Sequence, residues 1–331
     1  MNIEDVLRDT LADMAREEPP PPPERFLRTT LTATATGPRR VRRPGMALAA
    51  AAAVAVLAAG TVATVRGLSE QTPAPAVSTG PLTRPSGEVT ASVERGPGAR
   101  VIVMEGLRLA DVLPRLARAS GRPPAEFEHA ARNGAALGLP DYANGSLEGF
   151  AFPGTYEVAP GRSAQEILAD MVQRHRSTAD QLGLAAGARR LGRGPRDIMI
   201  IASIVQAEAS SRQDMPKIAR TIYNRLDHRP PMMLKMDSPL MYALGKYAVE
   251  ASAEDLRSRS RYNTYRYHGL PPGPIGNPGR DAIEAALRPA PGSWLYYVTV
   301  DPRTGATKFA GSDEEYESLL DERKRRIRAE S

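Results

Sequence analysis

Ile198-Met199-Ile200-Ile201-Ala202-Ser203-Ile204-Val205-Gln206-Ala207-Glu208 decides how this chain is read. Ile201, Ile204, Val205 and Glu208 stand at relative positions 0, 3, 4 and 7, the spacing of one helix face, and Pro195 suits the first turn. A single carboxylate therefore continues an apolar stripe turned toward a core, while Gln206 points elsewhere. A carboxyl group withdrawn from water beside aliphatic side chains has its charged form disfavoured, which is the usual way to keep a general acid protonated near neutral pH. Spacing alone leaves a second reading open. Glu208 and Arg212 are four residues apart, and such an exposed pair stabilises a helix by only about 0.2–0.5 kcal/mol.

Outward from this helix, 331 residues leave room for about two domains with tails, and the apolar and charged content, 41% and 25%, suits a globular part. The sequence pI of 9.6 and net charge of +6 raise nucleic acid as a partner. The basic residues are dispersed or gathered at two ends, Arg39-Arg40-Val41-Arg42-Arg43 and Arg323-Lys324-Arg325-Arg326, with no interleaved basic and aromatic motif, so no nucleic-acid role is expected.

The first cluster has a better explanation. Residues 45–65 contain no charged side chain and are long enough, at about 1.5 Å per residue, to cross a hydrocarbon core of about 30 Å. The span reads as one transmembrane helix; a cleaved signal peptide or an Ala-rich soluble helix is the alternative, and a solvated basic linker the alternative for its arginines. Arginines before the span and only Arg66 directly after it predict a cytoplasmic N-terminus and an exported body at the cell membrane. The absence of cysteine is compatible with export.

The chain is accordingly divided into a cytoplasmic, largely disordered segment (1–44) with a proline spacer at Pro19–Pro23, the transmembrane helix (45–65), and a Pro/Ser/Thr/Gly-rich flexible linker (66–99). A βααβ unit with a following helix (100–182) and a mixed α/β domain (195–329) complete it, an α+β fold class. The strands expected in the first unit are Val101–Met104 and Gly154–Val158, with helices over Leu109–Ser120 and Pro124–Asn133 between them. Ser163 and Glu166 form a capping box for the next helix, and 183–194 reads as a Gly/Arg-rich break. Beyond the Glu208 helix, helices are expected from Pro216, over Ser238–Leu244 and over Arg280–Leu287. A strand is expected over Ser293–Val300, a hairpin turn at Asp301–Gly305, and a charged amphipathic helix over Ser312–Ala329 whose basic end is a solvated face.

The chemistry narrows quickly. His129, His175, His228 and His268 are scattered, so they read as surface or packing residues rather than metal ligands, and no nucleophile elbow, phosphate loop or dinucleotide fingerprint occurs. The run Tyr262-Asn263-Thr264-Tyr265-Arg266-Tyr267-His268-Gly269-Leu270-Pro271-Pro272-Gly273-Pro274-Ile275-Gly276-Asn277-Pro278-Gly279 is too rich in Gly and Pro for a helix or central strand. It reads as a rigid loop, either a packed structural one or a presenter of Asn, Thr and Tyr to a sugar.

Several ordered motifs together carry a family resemblance. Ile201–Ala209, Tyr223-Asn224-Arg225-Leu226, Tyr242-Ala243-Leu244-Gly245, Asn263–Gly279 and, upstream, Leu147-Glu148-Gly149-Phe150-Ala151-Phe152-Pro153-Gly154-Thr155-Tyr156 resemble the MltG (YceG-like) endolytic murein transglycosylases. The resemblance covers residues 101 to 309. It implies a single-pass membrane protein with an exported LysM-like βααβ subdomain and a YceG-like catalytic domain. Such a protein cleaves the β-1,4 bond between N-acetylmuramic acid and N-acetylglucosamine and leaves 1,6-anhydro ends. Glu208 falls on the family's catalytic position; Asp237, Asn263, Thr264 and Tyr265 are the implied substrate-binding residues. No metal or cofactor is implied; peptidoglycan strands are the substrate and peptidoglycan synthases candidate partners. The chain departs from the pattern at Pro239, where a hydroxyl residue is usual, and at Tyr316, where histidine is common. Those departures leave an alternative, an inactive membrane-anchored peptidoglycan-binding or regulatory protein.

Overall fold

The computed structural model describes residues 99–330 apart from 249. The cytoplasmic segment (1–44), the transmembrane helix (45–65) and all but the last residue of the linker (66–99) expected from the sequence lie outside the described residues. Among the described residues no helix is long and apolar enough to cross a membrane.

Strand β1 (Arg100–Val103) alternates exposed and buried residues, so Val101 and Val103 face inward. Helices α1 (Leu109–Ser120) and α2 (Pro124–Arg132) follow, and β2 (Gly154–Glu157) returns antiparallel to β1 with Val101 opposite Tyr156. The βααβ order expected from the sequence is the one observed, with strand limits shifted by a residue. Val101, Val103, Leu116, Phe127 and Tyr156 pack with Ile167, Leu168 and Met171 of α3 (Ala164–Leu182) into one apolar core. Helix α3 starts on the expected capping box: the Glu166 amide donates to Ser163 Oγ (3.2 Å), and the Ser163 amide donates to the Glu166 carboxylate (2.7 Å).

The supposed break at 183–194 is corrected. Gly183, at φ +67°, ends α3 and lets α4 (Leu184–Arg190) begin at once, because Leu184 and Ala188 are buried against the second core. Gly187 is needed there, since a Cβ would come within 2.7 Å of the Leu287 side chain.

Helix α5 (Pro195–Glu208) is the axis of that second core. Its eight residues from Ile198 to Val205, all apolar but Ser203, are buried, so it is enclosed on every side rather than along one stripe. It is enclosed by α4, by α6 (Met215–Asp227), by α7 (Asp237–Ala243) and, past a short helix α8 (Ala253–Leu256), by α9 (Arg280–Leu287). Removing each large aliphatic side chain of α5 from water contributes about 1.5–3 kcal/mol. Strands β3 (Tyr296–Asp301) and β4 (Ala306–Ala310) form the expected hairpin, with Tyr297 opposite Phe309. Helix α10 (Asp313–Glu330) packs on this hairpin. Its basic end is the solvated face expected, with Lys324, Arg325 and Arg326 exposed and surface pairs from Arg323 to Glu250 at 2.8 Å and from Arg326 to Glu322 at 3.0 Å.

His175 of α3 is a packing residue. It is fully buried, its Nε2 lies 3.1 Å from the Tyr142 hydroxyl, and its ring meets Phe150 edge-on at 5.0 Å. Burial pulls its pKa down to about 4. A histidine held neutral adds stability that is complete above its unfolded value and is lost as pH falls toward the folded one. The stability advantage of wild type over His175→Gln is therefore expected to shrink by about 2 kcal/mol between pH 7.5 and pH 5 in urea unfolding; an advantage independent of pH would refute a neutral buried His175.

Candidate active site

The core helix α5 ends where its apolar packing ends, and Glu208 is its last residue, half-buried at that edge. Both carboxylate oxygens are engaged. The Tyr297 hydroxyl donates to Oε2 at 2.8 Å, and the Ser238 amide reaches Oε1 at 3.4 Å. Tyr297 comes from β3 and Ser238 from the first turn of α7, so three elements converge on one carboxyl group. The sequence alternative of a Glu208–Arg212 pair is not what forms: Arg212 pairs with Asp281 at 2.9 Å. The phenol of Tyr297 is held well above its usual pKa by burial and by the adjacent Glu208 charge, so it remains a donor.

Asp237 opens α7 beside Glu208. The Tyr265 hydroxyl donates to its Oδ1 at 2.8 Å, and the Ala251 amide also donates to this carboxylate. Burial raises the Asp237 pKa; the Glu208 charge raises it too, while the Tyr265 bond acts in the opposite direction. Pro239 is buried in the first turn of α7, where a missing backbone donor costs no helical hydrogen bond. The Ser238 hydroxyl is buried with no hydrogen-bond partner.

Asn263 and Thr264, named from the sequence as sugar contacts, direct their side-chain groups to the backbone of the protein itself. Asn263 is fully buried; its Nδ2 donates to the carbonyls of Leu256 (2.9 Å) and Ser258 (2.8 Å), and its Oδ1 accepts from the Tyr265 amide (3.1 Å). Thr264 Oγ1 accepts from the Met236 amide (2.8 Å) and donates to the Met236 carbonyl (2.7 Å). That double bond fixes the residue preceding Asp237. The Tyr265 hydroxyl is bonded to Asp237. The 262–279 segment is a loop without helix or strand, as its prolines and glycines required.

Two further motifs turn out to be fasteners. Tyr223 donates to the Ala286 carbonyl (2.8 Å), Asn224 to the Trp294 carbonyl (2.8 Å) and Arg225 to the carbonyls of Leu295 (2.6 Å) and Leu234. They tie α6 to α9, to the entry of β3 and to the approach to α7. Sequence reasoning missed Tyr297; the alternation of the Tyr296-Tyr297-Val298 strand was the one available signal. Tyr316 stacks on Tyr296 at 4.8 Å. A cavity of about 560 Å³ involves Gln206, Arg280 and Phe152. Gln206 and Glu208 are two residues apart on a helix, about 200° around its axis, so this cavity lies on the flank away from the carboxylate.

Comparison with known proteins gives a consistent result. A model of the YceG-like family matches residues 82–322. An endolytic murein transglycosylase of Bacillus subtilis is 35% identical over 153 residues, 46% of this chain and 41% of that protein. Another, from Streptococcus pneumoniae serotype 2, is 29% identical over 176 residues, 52% of this chain and 31% of that protein. The matches thus span less than half the length of these curated relatives. A crystal structure of a yceG-like protein from Listeria monocytogenes aligns with a TM-score of 0.60 and 27% identity, covering 66% of this chain and 75% of that one.

Thr264→Val keeps the side chain's shape but strips both Met236 groups of their partner, and buried groups left unpaired cost about 1–3 kcal/mol. Urea unfolding of the ligand-free protein is expected to show a loss of about 2 kcal/mol; unchanged stability would mean that the hydroxyl is not the fastener described.

Proposed function

The chain belongs to the YceG-like family, and on that premise we propose that it is a membrane-anchored lytic transglycosylase acting on peptidoglycan. Its reaction is non-hydrolytic cleavage of the β-1,4 bond between N-acetylmuramic acid and N-acetylglucosamine, with Glu208 as acid and then base. The observation that carries the reading is Glu208 itself. It is a half-buried carboxyl group at the end of a buried helix, with one oxygen held by a phenol and the other only loosely engaged.

The Tyr297 bond at 2.8 Å leaves Oε1, with its 3.4 Å amide contact, as the oxygen to carry and deliver the proton. Protonation of the glycosidic oxygen breaks its bond to C1 of the muramic acid, where an oxocarbenium-like centre develops. The Tyr297 hydroxyl then stabilises the carboxylate that forms. This carboxylate accepts the proton of the same sugar's C6 hydroxyl as that oxygen bonds to C1, closing a 1,6-anhydro ring. Because the nucleophile belongs to the substrate, proximity replaces a second carboxylate. Asp237 is free of that duty and holds the first turn of α7 through Tyr265. Membrane anchoring by residues 45–65, with the N-terminus cytoplasmic and the body outside, is supported by the uncharged span and the arginines that precede it. It would bring the body to the wall at the membrane surface, where peptidoglycan synthases work.

Incubated with purified peptidoglycan, the full-length protein is expected to release muropeptides with anhydro ends, one water lighter than reducing ends by mass. Glu208→Gln should reduce release by at least about a thousandfold at an unchanged unfolding midpoint. Cleavage by that variant would reject Glu208 as the acid, and glycan binding without product by the wild type would favour the non-catalytic alternative.

A further inference from the structure

Glu148 is a buried carboxylate that the reaction does not use. It is 8% exposed, in the loop before β2, and its neighbours come from three separate parts of the molecule. The Leu109 amide at the start of α1 donates to Oε1 (3.0 Å) and Oε2 (3.1 Å). Asn277 Nδ2 donates to Oε1 (3.2 Å) from the 262–279 loop. The Tyr242 hydroxyl, on the last turn of α7, donates to Oε2 (3.2 Å). Asn277 completes the joint: its Oδ1 accepts from the amides of Gly149 (3.0 Å) and Ala151 (2.9 Å), and its own amide donates to the Leu107 carbonyl (3.0 Å).

The same end of α7 is gripped from α1 by charge. The Arg108 guanidinium lies over the rings of Tyr242 (5.5 Å) and Tyr247 (4.3 Å) and donates to the Lys246 carbonyl (2.7 Å). The Tyr247 hydroxyl donates to Asp111 (2.8 Å). The far end of α7 carries Asp237 and the Ser238 amide that touches Glu208. Seven residues make α7 about two turns long and stiff, so a hold on Tyr242 is transmitted to Ser238.

We propose that Glu148 is a positioning residue for the Glu208 site, bracing α7 through Tyr242 so that Ser238 and Asp237 meet Glu208 in register. The proposal rests on the transglycosylase reading for its kinetic consequence but not for its structural one.

The brace is sensitive to protonation. Burial raises the Glu148 pKa to about 7; the Leu109 amide, the Tyr242 hydroxyl and Arg108 draw it down, and Asp111 pushes it up. Tyr262 faces the same group and also feels its charge. A carboxyl group whose folded pKa is raised favours the docked state when protonated, and that contribution is lost as pH rises through about 7. In the protonated form Oε1 still accepts from Leu109 and Asn277 while the acid proton turns to the Tyr242 oxygen. A glutamine reproduces that pattern, with its amide NH₂ facing Tyr242.

The test uses the full-length protein with Glu148→Ala, Glu148→Gln and Tyr242→Phe. Glu148→Ala and Tyr242→Phe are expected to lower kcat about tenfold with KM held within about twofold, since a misplaced catalytic group costs rate more than binding. Glu148→Gln restores wild-type kcat at pH 6, and the ratio of its kcat to that of wild type rises above pH 7 as the wild-type carboxyl charges. Hydrogen exchange of the 238–243 amides, read without substrate, follows the same order: protection falls in Glu148→Ala and Tyr242→Phe and is kept in Glu148→Gln. Unchanged protection in both Glu148→Ala and Tyr242→Phe overturns the brace, as does a kcat lost equally in Glu148→Gln and Glu148→Ala. Absence of product from the wild type removes only the reaction, and the exchange result then judges Glu148 alone.

Discussion

The site depends on one hydrogen bond, from the Tyr297 hydroxyl to Glu208 Oε2 at 2.8 Å. It joins the end of a buried helix to a hairpin 89 residues further along the chain, and neither element has a local reason to meet the other. A hydroxyl-to-carboxyl bond at this distance is directional, and it gains strength where water is partly excluded. It therefore fixes both the rotamer of the glutamate and the oxygen that stays available. Much of the surrounding architecture can be understood as the means of bringing that phenol to that carboxylate.

The means are mostly backbone carbonyls captured by side chains. Asn224 and Arg225 hold Trp294 and Leu295, the two residues just before β3, and so set where Tyr297 arrives. Arg225 also takes the Leu234 carbonyl, and Thr264 takes both groups of Met236, which sets where α7 begins. Each of these polar side chains is buried or partly buried and spends its donors on the protein itself. Leaving such a carbonyl without water or partner is costly, so the contacts act as constraints more than as net stabilisers.

This explains which parts could be read from the chain. Helix α5 was legible because seven apolar residues among the eight from Ile198 to Val205 admit few alternatives, although total enclosure replaced the expected single stripe: its partners are four other helices, and no local pattern encodes that. The βααβ unit was legible because its period switches from two to nearly four and back. Asn263 and Thr264 stood out in the sequence, but the choice between a packed loop and a sugar-presenting one stayed open there, because polarity in a rigid loop looks the same whether the partner is a sugar or, as for Thr264, a carbonyl 28 residues away. Helix α4 was hidden by its glycine and arginines, which argue for a break until Gly187 is seen against Leu287. Glu148 stood inside a quoted motif with nothing in its neighbours to reveal that three distant donors converge on it.

Acidic groups in and near the site differ in how each is held. Glu148 is enclosed by an amide, a phenol and a carboxamide, and Asp237 by a phenol and an amide. Glu208 keeps an oxygen, Oε1, whose amide contact is at 3.4 Å, where an N–H bond is weak. A hydrolase of sugars needs two carboxyl groups with free oxygens, one to give a proton and one to activate water or attack. Under the proposed mechanism the substrate's own hydroxyl takes the place of the second group, and Glu208 gives a proton and takes one back.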